Sequence, residues 1–384
     1  MGCSGSSQGQ QPTQEAARRR LSVGHVDKTG GEDEGGEANE ADRGLMTALT
    51  DKNILELVEG SDGGGRKFSI GTNTDQGKTS FANKTMQQLG DEVDTAGLGY
   101  TCRKGLKPES PNQDSWSVLK VEDQYSIYAV FDGHGQKGHD VSNFVKENLL
   151  KLIVRDQRFK TDEMPAMLKE CFKKVQSLVS TADRMKKLSA QMSGTTASVA
   201  IFDHVKNKLT VAHVADSTIV LGRFKDKPGG VLEGFPLTRD HKPELKDERA
   251  RIEKAGGRVV FDGYANHRIY AKNGRYPGLN MSRCLGDLMG HADAGCSAEP
   301  EVNSRDITYL DHVLLVCSDG VWEFMEAKEA VDLVNKHPPA QAMKAAEVLA
   351  KESWDRWIRE EGGAVVDDIT VVLVYLQQQT KPPP

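Results

Sequence analysis

Residues 125–138 read YSIYAVFDGHGQKG. The first seven are aromatic, β-branched or small, the pattern of a strand buried on both faces. The run then closes on Asp132, and Gly133 and His134 follow in a glycine-rich loop. An acid and a histidine stand where a buried strand runs out. The same punctuation recurs along the chain: VAHVADS closes on Asp216, LLVCSDG on Asp319, Asp367 and Asp368 precede DITVVLVYL, and NQDSW sets Asp114 just ahead of WSVLKVE. One such aspartate alone reads as a turn residue. If the sheets bring all of these ends together, several carboxylates share one pocket, and like charges at that density stay ionised only if cations neutralise them. Oxygen donors without a Cys or His cluster select hard ions, Mg2+ or Mn2+. A pair of such ions lowers the pKa of a shared water and holds a phosphoryl group for in-line attack. Gly133, lacking a Cβ, lets a backbone carbonyl approach an ion, and His134 is placed to act as a general acid.

The 384 residues carry a formal net charge of −6, with 37% hydrophobic and 6% aromatic content. This mild acidity leaves no electrostatic footprint for nucleic acid. No run of about eighteen apolar residues is present to span a bilayer. The six cysteines, Cys3, Cys102, Cys171, Cys284, Cys296 and Cys317, are scattered, with no CxxC pair and no histidines at zinc-finger spacing. They read as reduced intracellular thiols, the interior ones as small buried hydrophobes.

Residues 1–95 are rich in Gly, Gln, Ser, Thr, Asp and Glu, and are expected to be mostly disordered. The exception is Leu45–Val58, which carries a short amphipathic helix of transient or partner-induced character. From Leu98 the texture changes to β-rich runs: WSVLKVE, YSIYAVFD, TASVAIFD, LTVAHVAD, IVLGRF, HVLLVCSD and DITVVLVYL. Helical periods lie in SNFVKENLLKLIV, EMPAMLKECFKKVQSLVSTADRMKK, DERARIEKAG, AKEAVDLVNKH and AQAMKAAEVLAKESWDRWIREE. Strands come in adjacent pairs, which favours antiparallel sheets with packed helices over a doubly wound parallel sheet. One catalytic domain over 96–378 is expected, with a disordered tail at 379–384 and no internal repeat. Residues 223–238 and 257–278 are expected to form a flap beside the pocket.

The motifs NQD, VFDGHG, MSGTTA, VAHVADS, LTRDHKP, RIEKAGGRV, MSRCLGD, LLVCSDGVWE and DDITVV stand in one order between Leu98 and Leu376. In that set the chain resembles the metal-dependent protein phosphatases of type 2C, the PPM family, which remove phosphate from phosphoserine and phosphothreonine. The resemblance implies an α/β (α+β) fold, a four-layer sandwich of two antiparallel β-sheets flanked by helices. It implies that Asp132 bridges two Mg2+ or Mn2+ ions, with the Gly133 carbonyl on one, and Asp319 and Asp367 completing the other. Asp114 would stand in the second ion's shell, and Asp216 with Glu323 beside a weaker third ion. His134 would protonate the leaving serine or threonine oxygen as water attacks phosphorus, with no phosphoenzyme. Ser193–Ala197, Arg283 and Asp287 would support the site from behind.

Three positions depart from the family's pattern. Gln113-Asp114 replaces Glu-Asp, removing one charge near the second ion. Lys107 stands where many members carry a phosphate-binding arginine, turning a bidentate fork into a point charge; Arg103 and Lys104 are the neighbouring cations that could compensate. Glu323 is one methylene longer than the usual aspartate. These changes motivate a rival reading, a weak or inactive phosphatase-like scaffold that binds phosphoproteins. The surviving Asp132, Asp319, Asp367 and His134 favour the enzyme.

The opening MGCSGSS fits the N-myristoylation pattern on Gly2, with Cys3 beside it as a palmitoyl acceptor. Two acyl chains would hold the enzyme on the cytoplasmic face of a membrane, the plasma membrane foremost, with a cytosolic pool. ARRRLSV at 17–23 adds three arginines for anionic lipid, and phosphorylation of Ser22 would offset their charge. The expected partners are phosphoprotein substrates and membrane lipid, with no nucleic acid, and the chain is expected to be monomeric.

Overall fold

A computed structural model describes residues 39–58, 65–73, 85–106 and 111–376 of the chain. Gly2, Cys3, Ser22, Lys107 and the tail at 379–384 lie outside the described residues. In chain order the helices are α1 (Glu40–Thr50), α2 (Ile54–Val58), α3 (Gly138–Arg155), α4 (Met164–Arg184), α5 (Lys246–Lys254), α6 (Leu288–Asp293), α7 (Asp319–Trp322), α8 (Ala327–Val334) and α9 (Ala342–Glu360). The strands are β1 (Lys67–Asn73), β2 (Thr85–Gly90), β3 (Leu98–Arg103), β4 (Ser115–Val121), β5 (Tyr125–Phe131), β6 (Gly133–His134), β7 (Gly194–Thr195), β8 (Ala197–Asp203) and β9 (Lys208–Val214). They continue with β10 (Thr218–Phe224), β11 (Leu232–Pro236), β12 (Arg258–Phe261), β13 (His267–Tyr270), β14 (Pro277–Leu279), β15 (Leu285–Gly286), β16 (Glu301–Asp306), β17 (Asp311–Cys317) and β18 (Ile369–Tyr375).

The opening stretch becomes β5, buried at every residue, at the centre of a seven-stranded sheet ordered β16-β9-β8-β5-β4-β1-β2. A second sheet runs β11-β10-β17-β18-β3. Every pairing within both sheets is antiparallel. The two-residue alternation of a pleated strand sorts the side chains into layers. Ile127, Ala129 and Phe131 meet Val145, Leu149, Phe172 and Val175 of α3 and α4. Tyr128 and Val130 face the second sheet, where they join Ile219, Leu221, Leu314, Val316 and Val372. The outer face of the second sheet, with Val220, Leu315, Val371 and Leu373, packs on Val331, Ala346, Leu349 and Trp357 of α8 and α9. The result is a four-layer sandwich with a hydrophobic core between each pair of layers.

The folded unit starts earlier than residue 96. Strands β1 and β2 are built from the segment expected to be mostly disordered, the helix expected around Leu45–Val58 is present as α1 and α2 and is docked rather than transient, and Leu49, Val58, Phe68 and Ile70 are buried. The partner that orders α1 is α4 of the same chain. Asp42 is fully buried and accepts from Lys174 Nζ at 2.5 Å, from Ser177 Oγ, and from Thr181 Oγ1 at 3.4 Å. Strand β1 carries little alternation to read because Ser69, Gly71 and Thr72 fill it, and small residues suit its close approach to β4. A Cβ on Gly71 would meet the Trp116 carbonyl oxygen at 2.7 Å.

The first of the two expected flap segments is instead a hairpin of the second sheet, β10 pairing β11 at its edge. The second segment makes a small sheet, β12-β13-β14, whose Ile269 and Leu279 pack with Ile252 of α5 and with Met281, Cys284, Ala294 and Cys296. A further small sheet, β15-β7-β6, pairs Gly133 with Thr195 and His134 with Gly194, while Gly286 pairs Gly194 from the other side. No helix among the described residues is long and apolar enough to cross a membrane.

Candidate active site

Antiparallel pairing decides which strand ends meet. Ser115 is opposite Phe131, so Asp114 ahead of β4 lies level with Asp132 after β5. Cys317 is opposite Val371, which sets Asp319 after β17 near Asp367 and Asp368 ahead of β18. Asp216 follows β9, whose Val214 pairs Ala197. The sandwich then stacks these ends at one edge.

Asp114 is fully buried, and its Oδ2 accepts from Ser318 Oγ at 2.8 Å and Thr370 Oγ1 at 2.6 Å. Its Oδ1 is buried with no hydrogen-bond partner, and the same holds for Oδ1 of Asp319. Burial and the neighbouring Asp368 and Asp367 charges push the Asp114 carboxyl up to about 7, against the pull of Thr370 and Ser318. Burial, with the charges of Asp114, Asp319 and Asp367, holds Asp132 well above the carboxylate range. Asp319 is raised likewise by burial and by Asp367, Asp216 and Glu323. Asp132 and Asp319 are near enough that each perturbs the other's carboxyl. Unpartnered buried oxygens and carboxyls driven toward neutrality fit a hard divalent cation. The acids are spread: among the described residues, the groups whose ligand atoms all lie within 4.8 Å are Cys284/His291/Cys296, His134/Cys284/Asp287 and His213/His241/Glu301. Wide spacing suits ions that keep several water ligands.

The backbone of Asp132 is held from the MSGTTA segment. Its N–H donates to Thr196 Oγ1 at 2.9 Å, and its carbonyl accepts from Thr195 Oγ1 at 3.0 Å and from the Thr196 N–H at 2.8 Å. Gly133 is required by crowding of the backbone: a Cβ there would meet the Gly138 and Gln113 carbonyl oxygens at 2.4 and 2.6 Å. The Gln113 side chain donates through Nε2 to the Gly135 carbonyl at 2.6 Å, a bond that a glutamate carboxylate could not make. Of the two adjacent acids before β18, Asp367 accepts from the Asp368 N–H at 2.7 Å. Asp368 spends both oxygens on backbone, accepting from Gly105 N and Gln113 N at 2.7 Å each, and so ties the loop after β3 to the one before β4.

His134 is buried, and its Nε2 lies 2.5 Å from Asp287 Oδ2. Burial pulls the imidazole pKa down, but the Asp287 charge and hydrogen bond outweigh it and the net shift is upward. Asp287 sits at φ 42°, in the left-handed region, at the start of α6. Arg283, from the same motif, turns instead to Glu248, 2.5 Å from its Oε1, where Arg251 and Ser282 also converge. Asp216 is buried and holds the Lys242 ammonium 2.5 Å from its Oδ2. Glu323 is exposed one turn beyond Asp319, which feels its charge. Arg103 pairs with Ile369 across β3 and β18, two residues from Asp367, and Lys104 Nζ donates to the Gly105 carbonyl at 3.3 Å.

Sequence reasoning missed the contacts of Lys242, Asp368 and Asp287 with these groups. LTRDHKP, VVDD and MSRCLGD all stood out as motifs, but nothing local says which distant side chain each one meets.

A family model described as protein phosphatase 2C matches residues 106–360. Probable protein phosphatase 2C 48 of Oryza sativa subsp. japonica is 32% identical over 355 residues, covering 87% of this chain and 96% of that one. Probable protein phosphatase 2C 35 of Arabidopsis thaliana is 30% identical over 302 residues, covering 72% and 82%. Among solved structures, a serine-threonine phosphatase 2C from Toxoplasma gondii aligns with TM-score 0.62 at 20% identity, over 74% of this chain and 96% of that one. A C. elegans sex determining protein aligns with TM-score 0.61 at 22% identity, over 77% and 67%. At those identities the structural likeness speaks for the fold alone. The matching family model, together with relatives at 30% identity and above, settles membership: the chain belongs to the protein phosphatase 2C family of metal-dependent serine/threonine phosphatases.

Proposed function

We propose that the chain hydrolyses phosphoserine and phosphothreonine in proteins, with water as the nucleophile, at a paired Mg2+ or Mn2+ site held by Asp132, Asp319, Asp367, Asp114 and the Gly133 carbonyl. The observation that carries this reading is the pair of buried, unpartnered oxygens, Asp114 Oδ1 and Asp319 Oδ1, at the edge where Asp132 and Asp367 also stand. Cations bound there would lower the pKa of a coordinated water and neutralise the phosphoryl oxygens. His134 gives a proton to the leaving serine or threonine oxygen. With Nε2 committed to Asp287, the proton it offers is on Nδ1, and the carboxylate keeps the ring charged and fixed. Lys242 supplies positive charge at Asp216, where a third ion would otherwise lie, so the reading needs two ions. Arg103, at the same strand edge, and Lys107 are the side chains assigned to substrate phosphate. A phosphopeptide assay with added Mn2+ tests this: wild type turns over, and Asp132→Ala and chelated wild type do not. Equal rates for wild type and variant would sink the reading.

The chain is further read as membrane-attached through acylation of Gly2 and Cys3, at the cytoplasmic face, with Ser22 phosphorylation weakening the pull of its arginines on anionic lipid. Gly2→Ala should move the protein to the soluble fraction; unchanged membrane association rejects this part alone.

A further inference from the structure

Residues 283–297 close on themselves. Arg283 bridges Ser297 in parallel, Cys284 N–H donates to the Ser297 carbonyl at 3.1 Å, and Cys296 N–H to the Gly290 carbonyl at 3.1 Å. Inside this loop Cys284 Sγ lies 3.1 Å from Cys296 Sγ, and ligand atoms of both stand within 4.8 Å of a ring nitrogen of His291. Asp287 stands beside this trio rather than in it: its Oδ2 lies 3.2 Å from Cys284 Sγ and is taken by His134, and it groups with those two residues and not with His291 and Cys296. Cys284, Cys296 and Asp287 are each more than nine-tenths buried, and the other Asp287 oxygen, Oδ1, has no hydrogen-bond partner.

We propose that Cys284, Cys296 and His291 bind one zinc ion, with water as fourth ligand, in a site separate from the hard-ion pocket. Two thiolates and an imidazole are a soft to borderline set that selects zinc over Mg2+ or Mn2+. Tetrahedral zinc with Zn–S bonds of about 2.3 Å spaces its sulphurs by about 3.7 Å, so the pair must part by roughly 0.6 Å to admit it. A disulfide would instead draw them together by about 1 Å and would not account for the imidazole of His291 set beside both sulphurs. The ion would clip a thirteen-residue loop from Cys284 to Cys296 that holds Asp287 in its left-handed conformation. Because Asp287 holds His134, the zinc would also fix the proton donor, and that consequence alone rests on the function proposed above.

The test is the metal content of the full chain, produced with zinc in the medium and dialysed against EDTA to empty the carboxylate pocket. Wild type should retain about one zinc per chain, and Cys284→Ser and Cys296→Ser should retain almost none. Zinc-free wild type, or variants that keep the metal, would overturn the proposal. Should the variants fail to fold, X-ray absorption on wild type decides: two sulphur neighbours at about 2.3 Å are expected. A shell of oxygen and nitrogen alone, or a Cys284–Cys296 disulfide in non-reduced peptides, refutes it. The readout is zinc, so loss of phosphatase activity and loss of this site are told apart.

Discussion

Replacing Asp114 by asparagine should stabilise the metal-free protein, and increasingly so as pH rises. The side chain is fully buried, and its carboxyl goes from the ordinary 3.8 to about 7 in the fold. A raised acid binds its proton more tightly when folded, so its contribution is fully present below about pH 4 and is lost as pH climbs through about 7. At about 1.4 kcal/mol for each tenfold in proton affinity, the loss is about 4 kcal/mol. Asparagine keeps the acceptor for Ser318 and Thr370 and has no charge to bury. His204 and His241, held neutral by burial at about 4 and about 2, cost stability as pH falls through 6.5, but equally in both proteins. Thermal melting in EDTA from pH 4 to pH 8 should therefore show the variant's advantage growing by about 4 kcal/mol, on the order of 8 °C for a domain this large. Saturating Mn2+ should reverse the order, because wild type then gains a ligand that asparagine supplies poorly. A pH-independent difference in EDTA, or a variant less stable than wild type at pH 8, would refute the electrostatic account of the pocket.

Asp287→Asn should lower kcat by roughly a hundredfold with little change in KM, because it frees His134 from its carboxylate; a matched rise in KM would point to misfolding of the substrate surface instead. Lys242→Met removes a cation beside Asp216 and Asp319 and should tighten Mn2+ binding several-fold by calorimetry. Weaker binding would show that Lys242 only props the loop. A chain starting at residue 96 loses β1, β2 and the burial of Leu49, Val58, Phe68 and Ile70, each worth about 1.5–3 kcal/mol. It should unfold at much lower urea than the full chain, and equal midpoints would place the domain boundary at residue 96 after all.

How much of this was legible follows the range of the forces involved. Apolar runs ending on aspartate mark β5, β9 and β17 because burial of a strand is a local pattern, and α3, α4 and α9 are visible for the same reason. Strand β1 was invisible because glycine and small polar residues carry its close packing; the helix around Leu45–Val58 was legible, but not its stable docking, because that comes from a carboxylate buried on α4. Gln113 looked like a missing charge, and its amide proved to brace the Gly135 carbonyl. Scattered cysteines looked inert, and two of them meet across twelve residues beside His291 and Asp287. The chemical inventory, acids at strand ends and a histidine in a glycine loop, was set by the sequence alone, since residue type and local period suffice to read it. Which acid faces the pocket and which clamps backbone, and which carboxylate holds His134 from 153 positions away, was decided only by tertiary structure. Those pairings depend on sheet register and layer packing, which join residues that no local pattern connects.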